Sequence, residues 1–242
     1  MENGMHEGAV TLLDVLGWKG IWQREQEADV LLNDLIDRAK ERLKRFTTDG
    51  RGKNQFKEIT WDIISISDTI VFTAVGECNA AIKLTALFNN VNISNFLTAG
   101  LPLRGATSYG YYSVKNNILV GPAIDEVASW YEQADWIGVH MTPSATFRCE
   151  ANTMVGYWED YEIPSKTYGK INSLCFNWPM AWIIKKSKDE LMQTFLKMAP
   201  ITPDIAIKIN NTLKFFDEMM KNEKVIGKIK AYQEAKVTKK KK

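Results

Sequence analysis

Two aspartates set in apolar runs carry the clearest chemical signal in this chain: Asp14 in Val10-Thr-Leu-Leu-Asp-Val-Leu-Gly17 and Asp68 in Ile63-Ile-Ser-Ile-Ser-Asp-Thr-Ile-Val-Phe72. An ionised carboxylate among Val, Leu and Ile is costly unless a cation or hydrogen-bond donors surround it. Both therefore read as metal ligands. After Asp14 come Gly17-Trp-Lys-Gly20 and a helical pattern, so strand, carboxylate, glycine turn and helix N-terminus arrive in that order. That is where a phosphate meets free backbone N–H groups. Asp68 falls between β-branched runs, at the tip of an expected tight hairpin that can present it beside a neighbouring strand end. The pair suggests a two-metal phosphoryl-transfer site. The plain alternative makes each aspartate an N-cap or turn residue.

A third block shifts that balance: Leu103-Arg-Gly-Ala-Thr-Ser-Tyr-Gly110, then Ile118-Leu-Val-Gly-Pro-Ala-Ile-Asp-Glu-Val-Ala-Ser-Trp-Tyr131, which reads as strand, hairpin, strand, Gly-Pro turn and helix. With it the sequence resembles the class III nucleotidyl cyclases over roughly residues 8 to 145. Their first-strand motif Asp-Ile-x-Gly-Phe-Thr is matched by Asp14-Val-Leu-Gly-Trp-Lys19, and their hairpin-tip aspartate by Asp68. Arg-Ile-Gly-Ile-His-Thr-Gly is matched by Arg104-Gly-Ala-Thr-Ser-Tyr-Gly110, and Gly-Asp-x-Val-Asn by Gly121-Pro-Ala-Ile-Asp125. The resemblance implies that Asp14, Asp68 and the Val15 carbonyl hold two divalent ions, Mg2+ or Mn2+, and that Gly17, Trp18 and Lys19 hold the triphosphate. It further implies a homodimer with catalytic sites shared across a two-fold axis, metal aspartates from one protomer facing the Gly121 to Ser129 helix and base-contacting strands of the other. Asp14 and Arg104 are expected from opposite protomers.

The departures from the family are informative. Where purine cyclases read the base with a lysine and an aspartate, this chain has Ile64 and Ile118. Unpaired polar edges of a bound purine would cost about 1–3 kcal/mol each. The phrases Pro102 to Gly110 and Gly121 to Gly138 are similar to those of the pyrimidine cyclases of the bacterial antiphage system called Pycsar. That resemblance implies UTP or CTP as substrate, UTP being favoured, and cyclic UMP or cyclic CMP as an alarm signal for a downstream effector. The family's helical Asn and Arg are replaced by Asp125 and Ser129. Such an arginine is worth on the order of 10³ or more in phosphoryl transfer. Arg104 is the first candidate to supply the charge, followed by Lys19, Arg148 and Lys170; a cyclase-derived nucleotide-binding module without turnover is the other reading.

The elements that must position these residues follow from periodicity. Ile21 to Phe46 has Leu31, Leu32, Leu35, Ile36, Ala39 and Leu43 on one helical face, and Thr47 to Asn54 breaks it. The hairpin around Asp68 precedes a helix from about Glu77 to Asn90, with Asn89 to Asn95 reading as its end or a loop. Strands near Leu103 to Tyr112 and Asn117 to Val120 lead to a helix over Pro122 to Ala134 and a strand over Trp136 to Met141. Thr142 starts a short helix, Gly156 to Tyr168 reads as irregular, and Ile171 to Trp178 as a strand stopped by Pro179. Helices over Lys188 to Met198 and Pro203 to Lys221 finish the chain. The expected class is α+β: a ferredoxin-like βαββαβ cyclase core, antiparallel-rich with helices on one face, plus a helical C-terminal extension. The catalytic domain is expected over 1–180 and the extension with its basic tail over 181–242.

Composition narrows the rest. A chain of 242 residues, 45% hydrophobic, can bury one sizeable core. Net charge of +2 and a terminal run Lys239 to Lys242 give no argument for nucleic acid or membrane as partner. No run approaches a membrane span and the first residues lack signal-peptide features, so a cytoplasmic location is expected. Cys78, Cys149 and Cys175 lack zinc spacing and read as reduced core residues. His6 and His140 are the only histidines, too few for a His-based triad, and His140 reads as a satisfied strand residue. Eight tryptophans and eight tyrosines fit either ordinary core packing or a packed interface.

Overall fold

The computed structural model describes residues 4–18, 21–23, 25–49, 54–116, 118–148, 157–198, 200–223, 225–227 and 229–231. Strand β1 (His6–Val15) leads to helix α1 (Ala28–Lys44), then β2 (Thr60–Ile66) and β3 (Thr69–Val75) form a hairpin before α2 (Cys78–Thr98) and β4 (Leu103–Lys115). β3 lies between β1 and β2 and is antiparallel to both, while β4 pairs antiparallel with the other side of β1. This is the split βαβ arrangement expected from the sequence. The short β5 (Ile118–Val120) pairs with the far end of β4 and α3 (Pro122–Trp130) follows. β6 (Gly138–Met141) adds parallel to β4; α4 (Pro143–Arg148) precedes the hairpin β7 (Trp158–Ser165) and β8 (Gly169–Phe176). Strand order is β2-β3-β1-β4-β6-β8-β7, and β4–β6 is the one parallel pair among the described strands. Helices α5 (Trp178–Ile183), α6 (Lys188–Leu196) and α7 (Pro203–Lys221) complete the α+β fold.

Alternation along the strands splits the sheet into two faces. Ala9 and Leu13 join the large core beneath α1 and α2, whereas Val10, Leu12, Val71, Ala106 and Tyr112 pack against Ala123 and Val127 of α3. Helices therefore cover both faces, not one. Facing β1 and β4 approach so closely that a Cβ on Gly105 would stand 2.1 Å from the Leu12 carbonyl oxygen, so only glycine fits beside Arg104. The boundary expected at residue 180 falls inside α5, and the large core runs on through Phe195, Ile209, Phe215 and Phe216.

Several elements differ from expectation, each for a local reason. The chain after Asp14 makes a tight helical turn at Ile21–Gln23, and α1 starts only at Ala28 with no side-chain cap from Glu27. The glycine turn is therefore not the N-terminus of α1. α1 ends at Lys44 and opens into a wider helical turn through Asp49. α2 continues through the asparagine-rich segment to Thr98, because Ile93, Phe96 and Leu97 are fully buried and the Asn92 amide donates to the Phe88 carbonyl, 2.7 Å. Packing overrides propensity there. α3 stops at Trp130, since Ala134 is drawn into a bridge with Ser165. Trp136 and Ile137 are core residues outside β6, the Ile137 N–H donating to Thr212 Oγ1, 2.9 Å. The segment expected to be irregular contains β7, paired over its whole length with β8; Pro164 is tolerated because β7 is an edge strand. Pro179 lies in the first turn of α5, capped by the Asn177 side chain.

Candidate active site

The end of β1 is fixed from two sides. The Val15 N–H donates to the Asp68 carbonyl at the β2–β3 turn, 3.0 Å, and the Leu16 N–H donates to the Pro102 carbonyl ahead of β4, 2.8 Å. Ser67 reverses the hairpin with φ 57, which puts Asp68, half-buried, beside the end of β1. In register, Asp14 is flanked by Thr69 on β3 and Arg104 on β4. All three sit on the α3 face of the sheet.

Asp14 and Arg104 form a buried ion pair. Arg104 donates from Nε and Nη2 to the same oxygen, Asp14 Oδ2, each at 2.8 Å. Among the described residues Asp14 Oδ1 accepts no hydrogen bond and the buried Arg104 Nη1 meets no partner. Burial raises the Asp14 pKa; Arg104 opposes this, and the negative charges of Asp68 and Glu132 push it further up. The site gathers more acid than it neutralises.

Three further residues, missed in the sequence, face this end. The Tyr131 hydroxyl donates to Glu132 Oε1, 2.9 Å; burial and that carboxylate push the phenol up to about 12, with Thr69 and Asp14 also near enough to act on it. Lys166, just after β7, makes no ion pair among the described residues, and its pKa is lowered by burial and then by the charge of Arg104. Its backbone N–H is anchored on the Gln133 carbonyl, 2.9 Å. Reading Ser165-Lys-Thr-Tyr-Gly169 as a hairpin turn would have exposed Lys166; the irregular reading of Gly156 to Tyr168 hid it.

The expected residues do not all converge. Asp14, Asp68 and Arg104 do; Gly17, whose φ of 78 suits its turn, and Trp18 follow in the chain, with Trp18 packed against the large core. The Val15 carbonyl receives a long bond from the Trp18 N–H, 3.3 Å. Lys19 lies outside the described residues. Ile64 packs partly under α3 with Val71. Ile118 pairs with Lys115, roughly 35 Å along β4 from Arg104 at a strand rise of about 3.3 Å per residue, and is 65% exposed. Asp125 and Ser129 face solvent on α3, the Ser129 hydroxyl bonding back to the Glu126 carbonyl. Arg148 is engaged at the opposite end of β1 by Glu7, 2.7 Å, and Lys170 by Glu162, 2.8 Å. Asp14 and Arg104, expected from opposite protomers, pair within one chain, because β1 and β4 are sheet neighbours.

His140 is a strand residue, fully buried beside the Gly105 backbone, and neither ring nitrogen makes a well-formed hydrogen bond among the described residues. His6 opens β1, exposed. Cys78 and Cys175 form no disulfide among the described residues, with Cys175 buried; Cys149 and the Lys239 to Lys242 tail lie outside the described residues. Among the described residues no helix is long and apolar enough to cross a membrane, and no group of three or more His, Cys, Asp or Glu gathers as a metal centre.

No family model and no curated protein matches this chain. Solved structures similar to it include the catalytic core of a rhodopsin-guanylyl cyclase with converted specificity in complex with ATPαS, at 16% identity over 72% of this chain and 97% of that one, TM-score 0.49. Adenylate cyclases from Trypanosoma brucei in their monomeric state align at 11% identity over 73% of this chain and 90% of theirs, TM-score 0.47. A class III adenylyl cyclase-like ATP-binding protein from Pseudomonas aeruginosa aligns at 13% identity over 72% and 39%, TM-score 0.40.

Proposed function

We propose that this chain is a metal-dependent class III nucleotidyl cyclase that converts UTP to 3′,5′-cyclic UMP and pyrophosphate, as an antiphage signal of the Pycsar type read by a downstream cyclic-nucleotide effector. The supporting observation is the joining of Asp14 and Asp68 at one sheet end through the Val15 to Asp68 backbone bond, 3.0 Å. Like charges brought together there call for a cation. The donor set fits one: a strand-end carboxylate beside a hairpin-turn carboxylate, one Asp14 oxygen without a hydrogen bond among the described residues, and the Val15 carbonyl suit Mg2+ or Mn2+, which keep water and substrate phosphates as their other ligands. Bound there, such ions would neutralise phosphate charge and favour ionisation of the attacking hydroxyl.

The chain's own residues then divide the work. Asp14 and Asp68 hold the ions, and the turn of Gly17 and Trp18 borders the triphosphate. Arg104 holds Asp14 by two hydrogen bonds, and with a divalent ion bound at the carboxylates its guanidinium would be available to phosphate oxygens. Lys166, unpaired among the described residues and beside Arg104, takes the part of the missing helical arginine better than Arg148 or Lys170, whose charges are already engaged. The ribose 3′ oxygen attacks the α-phosphorus in line, its proton passes to water, and the bond to the bridging oxygen breaks to release pyrophosphate. Positioning and charge neutralisation supply nearly all of the rate.

The base and the assembly follow from the isoleucines. Ile64 and Ile118 offer a purine edge no hydrogen bond, which favours a pyrimidine. Ile118 is too far along β4 to reach Asp14 of its own chain, so the pocket is completed by a second copy in a two-fold dimer. Ile66, Ile118 and Val120, each at least half exposed, give that contact apolar surface.

Incubating the chain with ATP, GTP, CTP and UTP and either metal tests the reading: cyclic UMP should dominate. Cyclic CMP as main product would switch the substrate to CTP, and cyclic AMP would end the pyrimidine assignment. The closed Asp14–Arg104 pair favours one rival, a nucleotide-binding module without turnover; binding with no product from any nucleotide is its signature. For the dimer, Asp14→Asn is mixed with Asp125→Ala, since Arg104 belongs to the same half-site as Asp14. Random exchange should return about a quarter of the activity if the sites are shared. No recovery, together with a monomeric mass, refutes sharing.

A further inference from the structure

On the α1 and α2 face of the sheet, α1, the last turn of α2 and α5 border a groove of about 580 Å³ that shares no residue with the Asp14 site. A volume of that order suits a small ligand, about 300–1,000 Å³ in known pockets. One stripe of α1 runs along it as Leu31, Leu35, Arg38 and Arg42, spacings of three and four residues that keep one helical face. The groove is thus apolar toward Leu31, Leu35 and Ala181 and cationic toward Arg42, Lys185 and Lys186.

Its carboxylates are already used. Asp34 pairs with Arg38 at 3.7 Å and Glu41 with Arg45 at 3.5 Å. Lys186 also has an occupation: it donates to the Thr98 hydroxyl, beside the negative end of α2, and lies 4.6 Å from the centre of the Trp182 ring. Arg42 and Lys185 have no carboxylate partner among the described residues, although both border this groove and a smaller neighbouring one. Burial, then the nearby charges of Arg42 and Lys186, push the Lys185 ammonium below the ordinary lysine range.

We propose that this groove is a second, non-catalytic binding site for a small phosphate-bearing ligand of the nucleoside phosphate class. Arg42 can grip phosphate oxygens with its planar fork and Lys185 adds a point charge, while Leu31, Leu35 and Ala181 flank the apolar portion. The size of the groove and its apolar end favour such a molecule over an extended acidic peptide.

Calorimetric titration of the full chain in chelator, without divalent ions, separates this site from the Asp14 site. ATP, inorganic tripolyphosphate, adenosine and a polyglutamate peptide are the probes. One saturable ATP site is expected, with weaker tripolyphosphate binding and none by adenosine. Arg42→Ala/Lys185→Ala should weaken ATP at least about tenfold, while Lys166→Ala should leave it unchanged. Arg42→Gln alone, at an exposed position, serves if the double variant misfolds. ATP binding that survives loss of Arg42 and Lys185, that disappears with Lys166→Ala, or that is weaker than polyglutamate binding would overturn the assignment. Each of these results leaves the cyclase reading standing.

Discussion

The two ends of β1 carry the same kind of ion pair in opposite environments. At its start Glu7 meets Arg148, with side chains 40% and 50% exposed, and Arg148 also lies 5.6 Å from the centre of the Tyr109 ring. At its end Asp14 meets Arg104, with side chains 13% and 9% exposed. The outer pair keeps most of its water, gains little from Coulomb attraction and is screened by salt. The inner pair has lost its water, so each partner depends on the other, and replacing both by apolar residues is often neutral or stabilising. Stability alone does not explain a buried pair with Asp68 and Glu132 adding negative charge nearby. Perturbed carboxylates cluster where chemistry is done.

The sharpest way to break the comparison is activity. Asp14→Asn keeps shape and one acceptor oxygen but removes the charge that a divalent ion needs, so cyclic product should fall below detection. Glu7→Gln at the other end should leave turnover within about twofold, as expected for a surface pair. Equal loss in both variants, measured by chromatography of the products, would erase the distinction.

Stability gives the next largest contrast. Arg104→Ala strands a buried carboxylate and should cost about 3–5 kcal/mol in urea unfolding, whereas Asp14→Leu/Arg104→Met should return close to the unsubstituted chain. A double variant no more stable than the single one would show that the pair contributes net attraction.

How far the sequence reached depends on which physical signal each residue left in it. Asp14 and Asp68 stood out because a charge within an apolar strand is anomalous, and the split βαβ order followed from periodicities of 2 and 3.6. The Asp14–Arg104 pair was not legible. It depends on register between strands 90 positions apart, and no local pattern sets that. Lys166 was hidden because β7 mixes Trp158 and Ile163 with Glu159, Asp160 and Glu162, so its alternation is weak until β8 pairs with it. The asparagines of α2 misled for the converse reason: their propensity argues for a helix end, yet burial of Ile93, Phe96 and Leu97 carries the helix on.

His140 adds a third kind of buried ionisable group, one kept neutral rather than paired. It lies on β6 opposite Ala106 of the Arg104 strand, with Trp130 at 5.9 Å between ring centres, and burial lowers its pKa to about 4 from an ordinary 6.5. A depressed histidine leaves the unfolded chain binding the extra proton first. Stability should therefore be full above pH 6.5 and decline as pH falls toward 4, by roughly 3 kcal/mol at the limit. Urea midpoints at pH 7.5, 6 and 5 measure the slope, and His140→Phe should flatten it. An unchanged slope in that variant would assign the acid sensitivity to other groups.

The smallest expected effect completes the comparison at the outer pair. Arg148→Ala removes both the 2.7 Å contact with Glu7 and the cation near Tyr109. Because Glu7 stays hydrated when released, the cost should be no more than about 1 kcal/mol, and only part of it should be electrostatic. A double-mutant cycle with Glu7→Gln isolates that part, which should shrink toward zero between low salt and 1 M salt, where the screening length falls to about 3 Å. The same cycle on Asp14 and Arg104 should keep most of its coupling at both salt concentrations, since ions do not reach a pair that is about nine-tenths buried. If the two cycles responded to salt alike, burial would not be what separates the ends of β1.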